Sequence, residues 1–193
     1  MTEPLSPDAT NESSEPAATS APSASASASA SASASADGRI PDGFVQLKLT
    51  RNPFIEANGP LYGRWQDQSF TLGLRVEARH CNPGGMCHGG MLMTLADMTM
   101  LLGANMQSSV RQYLLTVNLS TDFIAPVPQG AWIEGQTQVL RSGRSIVFAQ
   151  GLLSVADSVV ARISGVFKPT GDPRPDNVAD RLFSQDNPLD RLF

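Results

Sequence analysis

Charge is what the middle of this 193-residue chain lacks: from Cys81 to Val110 there is no lysine, arginine or acid other than Asp97. Cysteine is scarce too. Cys81 and Cys87 are the two in the chain, too few for a disulfide framework, so a reducing cytosol is the expected setting. No basic residue precedes Arg39, and no long apolar stretch opens the chain, so its start reads as neither a signal peptide nor a transit peptide. No apolar run approaches the roughly 18 residues of a membrane span, which argues against a membrane protein.

What opens the chain is low complexity. Ser23 to Ala36 is seven Ser-Ala pairs, preceded by Ser, Ala, Pro, Glu and Thr with hardly an apolar side chain. Such a segment cannot bury enough surface to offset its ordering entropy. The reading is a disordered tail over 1–38, a folded domain over 39–169 and a C-terminal extension over 170–193. The extension is Pro- and Asp-rich and repeats Asp-Arg-Leu-Phe at 180–183 and 190–193. It reads as loose turns, a docked extension or a short partner-binding motif. The tail acids Glu3, Asp8, Glu12, Glu15 and Asp37 leave 13 acids against 14 bases from Arg39 onward, out of the chain's 18 and 14. A near-neutral body gives no reason to expect nucleic acid as a partner.

Periodicity supplies the elements. Gly43 to Leu49 alternates weakly, as a strand or the start of a short helix, and Asn52 to Gly59 reads as a helical turn stopped by glycine. Leu61–Gln66 and Ser69–Arg79 form a hairpin around Asp67-Gln68. In its second arm Phe70, Leu72, Leu74, Val76 and Ala78 share one face, and Thr71, Arg75, Glu77 and Arg79 the other. After the loop Asn82-Pro-Gly-Gly85, a helix runs from His88 to Met106, apolar nearly all round and so expected to be wrapped by other structure. Strands follow at Tyr113–Ile124, Ala131–Arg141 and Ser145–Phe167, the last divided at Ala156-Asp157-Ser158. The layout is α+β: an antiparallel sheet whose only cover for one long central helix is its own curl.

Asp97 stands in the middle of that helix. An unpaired carboxylate in an apolar helix must be desolvated, at a cost of several kcal/mol or with a raised pKa, and one kept there is a candidate catalyst. The bland alternative is an Asp that reaches a distant partner or a wet surface. At the helix start, free backbone amides can receive the charge of an oxyanion, and Gly89 would let a ligand approach the backbone. His80-Cys81 and Cys87-His88 offer four potential zinc ligands, but ligands of a zinc pair are normally separated by about two to four residues. Neighbouring side chains on an extended segment also point apart, so no metal is expected.

The spacing Asn82-x-x-Gly85-x-x-His88-Gly89-Gly90 with Leu95-Ala96-Asp97 resembles the loop–helix motif of PaaI-like hotdog acyl-CoA thioesterases. Thr116 to Pro126 (TVNLSTDFIAP) and the Arg141-Ser-Gly-Arg-Ser145 hairpin resemble the strands that follow in that family, and the likeness covers roughly 43–168. The resemblance implies a hotdog fold, a curved antiparallel sheet wrapped around one long helix, and hydrolysis of acyl-CoA thioesters. It implies that Asp97 attacks the thioester or deprotonates water, that Gly89 provides the oxyanion amide, and that Asn82 and Thr116 assist. His88 and Gly90 are expected to shape the loop or contact substrate. Arg141 and Arg144 either meet coenzyme A phosphates or flank a solvated turn, and Thr116 has the alternative of being an ordinary strand residue. No cofactor is expected, since coenzyme A is part of the substrate.

Gly89 and Asp97 are eight residues apart, about 12 Å along one helix at about 1.5 Å per residue. Both cannot touch one carbonyl, so the expected unit is a homodimer, or a dimer of dimers, with sites at the subunit interface. The rival reading is a non-hydrolytic acyl-CoA-binding or regulatory hotdog protein; a hotdog hydratase is a third.

Overall fold

A computed structural model describes residues 38–47, 49, 52–108 and 112–173. The low-complexity tail of residues 1–36 and both Asp-Arg-Leu-Phe repeats lie outside these residues. In order come β1 (Val45–Gln46), α1 (Pro53–Asn58), β2 (Tyr62–Gln66), β3 (Ser69–Arg75), α2 (Gly89–Gln107), β4 (Tyr113–Phe123), β5 (Trp132–Ser142), β6 (Val147–Val155) and β7 (Ser158–Thr170). The strands form one antiparallel sheet in the order β1-β2-β3-β5-β6-β7-β4. It curves around α2 without closing, in the hotdog arrangement, and leaves the 11-residue strand β4 as an edge.

Local chemistry explains most boundaries. Asn52 caps α1 by accepting from the Ile55 N–H at 3.2 Å, Pro53 occupies the first turn where no N–H is needed, and the helix stops at Gly59. The β2–β3 hairpin turns on Asp67 and Gln68, both at positive φ (51° and 59°), as a two-residue turn of twisted strands requires. β3 is shorter than its alternation suggests. The chain leaves the sheet after Arg75, because Glu77 and His80 close a capping box around a 3-10 turn at Ala78–His80, with the Glu77 N–H donating to His80 Nδ1 at 3.0 Å. Thr71, on the expected polar face, is buried, since β3 is covered on both faces.

α2 is wrapped as its composition predicts, and 13 of its 19 residues are buried. It approaches the sheet closely where side chains are missing: a Cβ on Gly103 would collide with Thr137, and one on Gly135 of β5 with Thr99. Thr137 Oγ1 instead donates to the Thr99 carbonyl at 2.8 Å, tying the helix to β5. Leu95, Met100 and Leu102 of α2 pack with Leu74, Ile133, Ile163 and Phe167 in a fully buried core. Apart from Gly89 and Gln107 at its two ends, what remains open on α2 is a stripe at helical spacing: Gly90, Met93, Thr94 and Asp97.

Candidate active site

The loop before α2 is built by one side chain. Asn82 Oδ1 accepts from the N–H of Gly84 at 2.9 Å and of Met86 at 3.2 Å, while its backbone carbonyl accepts from Gly85 N at 3.0 Å. Gly85 sits at φ 74°, a conformation that favours glycine. The oxygen of Asn82 therefore holds the turn; the NH2 group of the same amide is not used in doing so. Backbone bonds Asn82 N→Met86 O (2.8 Å) and His88 N→His80 O (2.7 Å) close the loop as a short antiparallel bridge at Cys81 and Cys87.

His88 is the N-cap of α2 rather than its first residue. Its Nδ1 accepts from the Gly90 N–H at 2.9 Å, and its carbonyl accepts from Met91 N at 2.9 Å. A Cβ on Gly90 would stand 3.0 Å from His88 Nδ1, so glycine is what lets the ring sit so close. Capping uses the Gly90 and Met91 amides; among the described residues the Gly89 N–H has no acceptor. One backbone donor is thus left at the positive end of the helix dipole. A Cβ on Gly89 would meet only the Phe123 ring, at 3.7 Å.

Within the single chain Asp97 is half-buried, and the stripe it shares with Thr94 faces outward from the chain. Its partner comes from 19 residues downstream, where Thr116 of β4 donates its hydroxyl to Asp97 Oδ1 at 2.7 Å. This short bond to a carboxylate fixes one oxygen and leaves the other for chemistry. Beside it opens a cavity of about 390 Å³ lined by Phe54, Met93, Thr94, Tyr113 and Leu119, among others. A second cavity of about 420 Å³, lined by His80, Cys81, His88 and Gly90, lies at the helix start. Phe54 and Thr94 line both, so the two are consecutive parts of one cleft along α2.

The structure therefore gathers the expected residues into two groups. Asn82, His88, Gly89 and Gly90 meet at the start of α2, and Asp97 and Thr116 meet two turns further on. β4 confirms the separation, since it touches Asp97 through Thr116 and approaches Gly89 with Phe123, near its other end. Arg141 and Arg144 belong to neither group. They are exposed at the β5–β6 turn, without ion pairs among the described residues. The ladder Thr116–Phe167–Val147–Ser142 puts that turn three strand spacings, about 14 Å, from Thr116. No three His, Cys, Asp or Glu among the described residues are placed to hold a metal ion.

Phe54 is a site residue that the sequence does not announce: it is 60% exposed and lies over both cavities from α1. Nothing in its local pattern marks it. Thr94 is a second residue that the sequence reading misses, and its i+4 spacing from Gly90 on one helical face is the signal that could have found it. Burial lowers the pKa of His80, and the Arg79 guanidinium lowers it further. Burial likewise raises the Cys87 thiol to about 11, with Cys81 adding to the rise.

A sequence profile of the thioesterase superfamily matches residues 84–161, from the loop before α2 into the start of β7. The candidate esterase PA0474 of Pseudomonas aeruginosa is 35% identical over 129 residues, 66% of this chain and 96% of that protein. Among solved structures, the Escherichia coli PaaI protein of the phenylacetic acid degradation operon superposes with a TM-score of 0.57 at 21% identity. That match covers 64% of this chain and 88% of PaaI. BH2602 of Bacillus halodurans, solved with CoA, superposes with a TM-score of 0.52 at 22% identity, over 57% of this chain and 74% of its own. The chain belongs to the thioesterase superfamily, as a PaaI-like hotdog protein. Its relatives place it among the hydrolases. No helix of the described residues is long and apolar enough to cross a membrane.

Proposed function

We propose that the protein hydrolyses acyl-CoA thioesters in the cytosol, at sites shared between two copies of the chain. The observation that carries this is the Thr116–Asp97 pair at 2.7 Å, opening on an apolar-walled cavity. Asp97 either attacks the thioester carbonyl carbon or takes a proton from the attacking water. The carbonyl oxygen becomes an oxyanion, and the unused Gly89 amide at a helix start is suited to receive it. Collapse of the tetrahedral species breaks the C–S bond and expels the thiolate of coenzyme A. The water route gives the free acid directly, whereas the nucleophilic route leaves an anhydride on Asp97 that a water then hydrolyses to the acid and the free carboxylate. Asn82 would contribute its NH2 group to the water or carbonyl, and His88 and Gly90 hold the loop that aims Gly89.

Because Gly89 and Asp97 of one chain are about 12 Å apart, the reading needs Gly89 of one copy to face Asp97 of the other. β4 supports a pairing of that kind. It is a long edge strand with Leu115, Val117 and Phe123 half or more exposed, a surface that natural sheets normally cover. Arg141 and Arg144 are free to meet the phosphates of the coenzyme, and binding of CoA by the fold relative BH2602 is consistent with that ligand. The test is hydrolysis followed with a thiol-trapping dye over short, medium, long and aromatic acyl-CoAs. Turnover of at least one series is expected. Saturable binding without release of thiol from any would overturn the hydrolytic reading.

A further inference from the structure

Cys81 and Cys87 play no part in the reaction above, yet the fold sets them face to face. The backbone bonds that flank them, Asn82 N→Met86 O and His88 N→His80 O, are those of a non-hydrogen-bonded pair in an antiparallel bridge. In such a pair the two Cα atoms stand about 4.5 Å apart and both side chains leave on the same face. A disulfide needs a Cα separation of about 4.4 to 6.8 Å. The backbone is already where the bond would put it. Both sulfurs are at present thiols held only weakly, Cys81 Sγ donating to the Glu77 carbonyl at 3.4 Å and Cys87 Sγ to the His88 carbonyl at 3.9 Å.

We propose that Cys81 and Cys87 form a modification site, a thiol pair that low-molecular-weight disulfides oxidise to an intrachain disulfide across the Asn82–Met86 loop. Accessibility divides the roles. Cys81 is half-buried and lines the cavity of about 420 Å³, which admits a small thiol compound. Cys87 is 6% exposed, and its raised thiol pKa makes it the slower nucleophile. The Cys81 thiolate attacks one sulfur of the small disulfide and expels one thiolate, giving a mixed disulfide. The Cys87 thiolate then attacks the Cys81 sulfur and expels the second thiolate. Overall two protein thiols are oxidised, the small disulfide is reduced to two thiols, and no other oxidant is needed. The bond would tie the residue before Asn82 to the residue before His88, pinning both ends of the loop that presents the Gly89 amide. None of this depends on the hydrolytic reading, because only thiols and loop geometry enter.

The test uses the full chain, whose only thiols are these two. It is incubated with glutathione disulfide in one arm and coenzyme A disulfide in the other, then analysed by intact mass. The expected product is lighter by about 2 Da, the two hydrogens lost on oxidation, with neither cysteine open to alkylation. Cyanogen bromide cuts after Met86, between the cysteines, so the two flanking fragments should stay joined until a reductant is added. The variant Cys87→Ser should stop at a mixed disulfide on Cys81. Comparable rates in both arms would support small disulfides in general as the oxidant. A coenzyme A arm faster by tenfold or more would support the coenzyme's disulfide. A stable mixed disulfide on the unmutated chain, disulfide-linked pairs of chains as the main product, or two thiols that remain free would each overturn the proposal.

Discussion

Gly89 and Asp97 sit on one helix, yet each is met by a different end of β4: Phe123 lies against Gly89 and Thr116 bonds Asp97. The amide suited to an oxyanion and the carboxylate suited to attack are therefore held apart by two rigid elements at once. Neither a helix nor a ladder-bonded strand can fold back by about 12 Å to join them.

If the site is shared, two crippled proteins should rescue each other. Asn82→Asp keeps the oxygen that accepts from Gly84 and Met86, so the loop survives while the NH2 donor is lost. Asp97→Ala removes the carboxylate. Each alone should be nearly inactive. After they are unfolded and refolded together, about half the dimers pair one of each, and one site of every mixed pair is wild type. Roughly a quarter of wild-type activity should return. Subunit exchange without any gain in activity would show that the site lies within one chain.

Removing the carboxylate and removing its hydroxyl partner should differ in degree. Asp97→Asn is expected to lower kcat by about a thousandfold or more with the fold intact, since a half-buried Asp is not a packing residue. Thr116→Val deletes one hydrogen bond to a charged group, about 1.5–3 kcal/mol, and should cost roughly ten- to a hundredfold in kcat. Thr116→Ser should restore most of it. A Thr116→Val protein with unchanged kcat would reduce that threonine to an ordinary strand residue.

The adjacent glycines should separate chemistry from folding. Gly89→Ala meets only the Phe123 ring in its own chain, so melting should be nearly unchanged while kcat/KM falls, because the new methyl occupies the approach to the free amide. Gly90→Ala brings a methyl to 3.0 Å from His88 Nδ1 and disturbs the cap. A lost N-cap costs about 1 kcal/mol, so Tm should drop by roughly 2–4 °C. Thermal melts set beside hydrolysis rates decide it, and equal Tm losses in both variants would refute the distinction.

His80 should give the fold a weakness on mild acidification. It is buried and its folded-state pKa is lowered, so below about 6.5 the unfolded chain takes up a proton that the folded chain refuses. The stabilisation is present above the unfolded value and is lost as pH falls through it toward the lowered folded value. Tm should decline between pH 7 and pH 5.5, and His80→Asn should flatten that decline. The slope is read from melts of the two proteins across that range; parallel curves would clear His80 of the effect.

Much of this was legible before any coordinates. The helix at His88–Met106 differs from the observed Gly89–Gln107 by one residue at each end, and the four following strands fall within a few residues of their expected limits. Those signals are local, because apolar periods and turn residues act within one segment. Ser69–Arg79 was read as a single strand for the same reason: alternation persists to Arg79, but the Glu77–His80 box competes for the backbone and wins.

The sequence by itself determined the loop, its glycines and the isolation of Asp97 from other charges, since each depends on which residues are neighbours along the chain. Only the tertiary structure decided that Thr116 is the partner of Asp97, that Phe54 lies over the cleft, and that the carboxylate faces outward. Those relations arise from how β4 and α1 settle against α2, across separations where side-chain packing, and not sequence order, sets who meets whom.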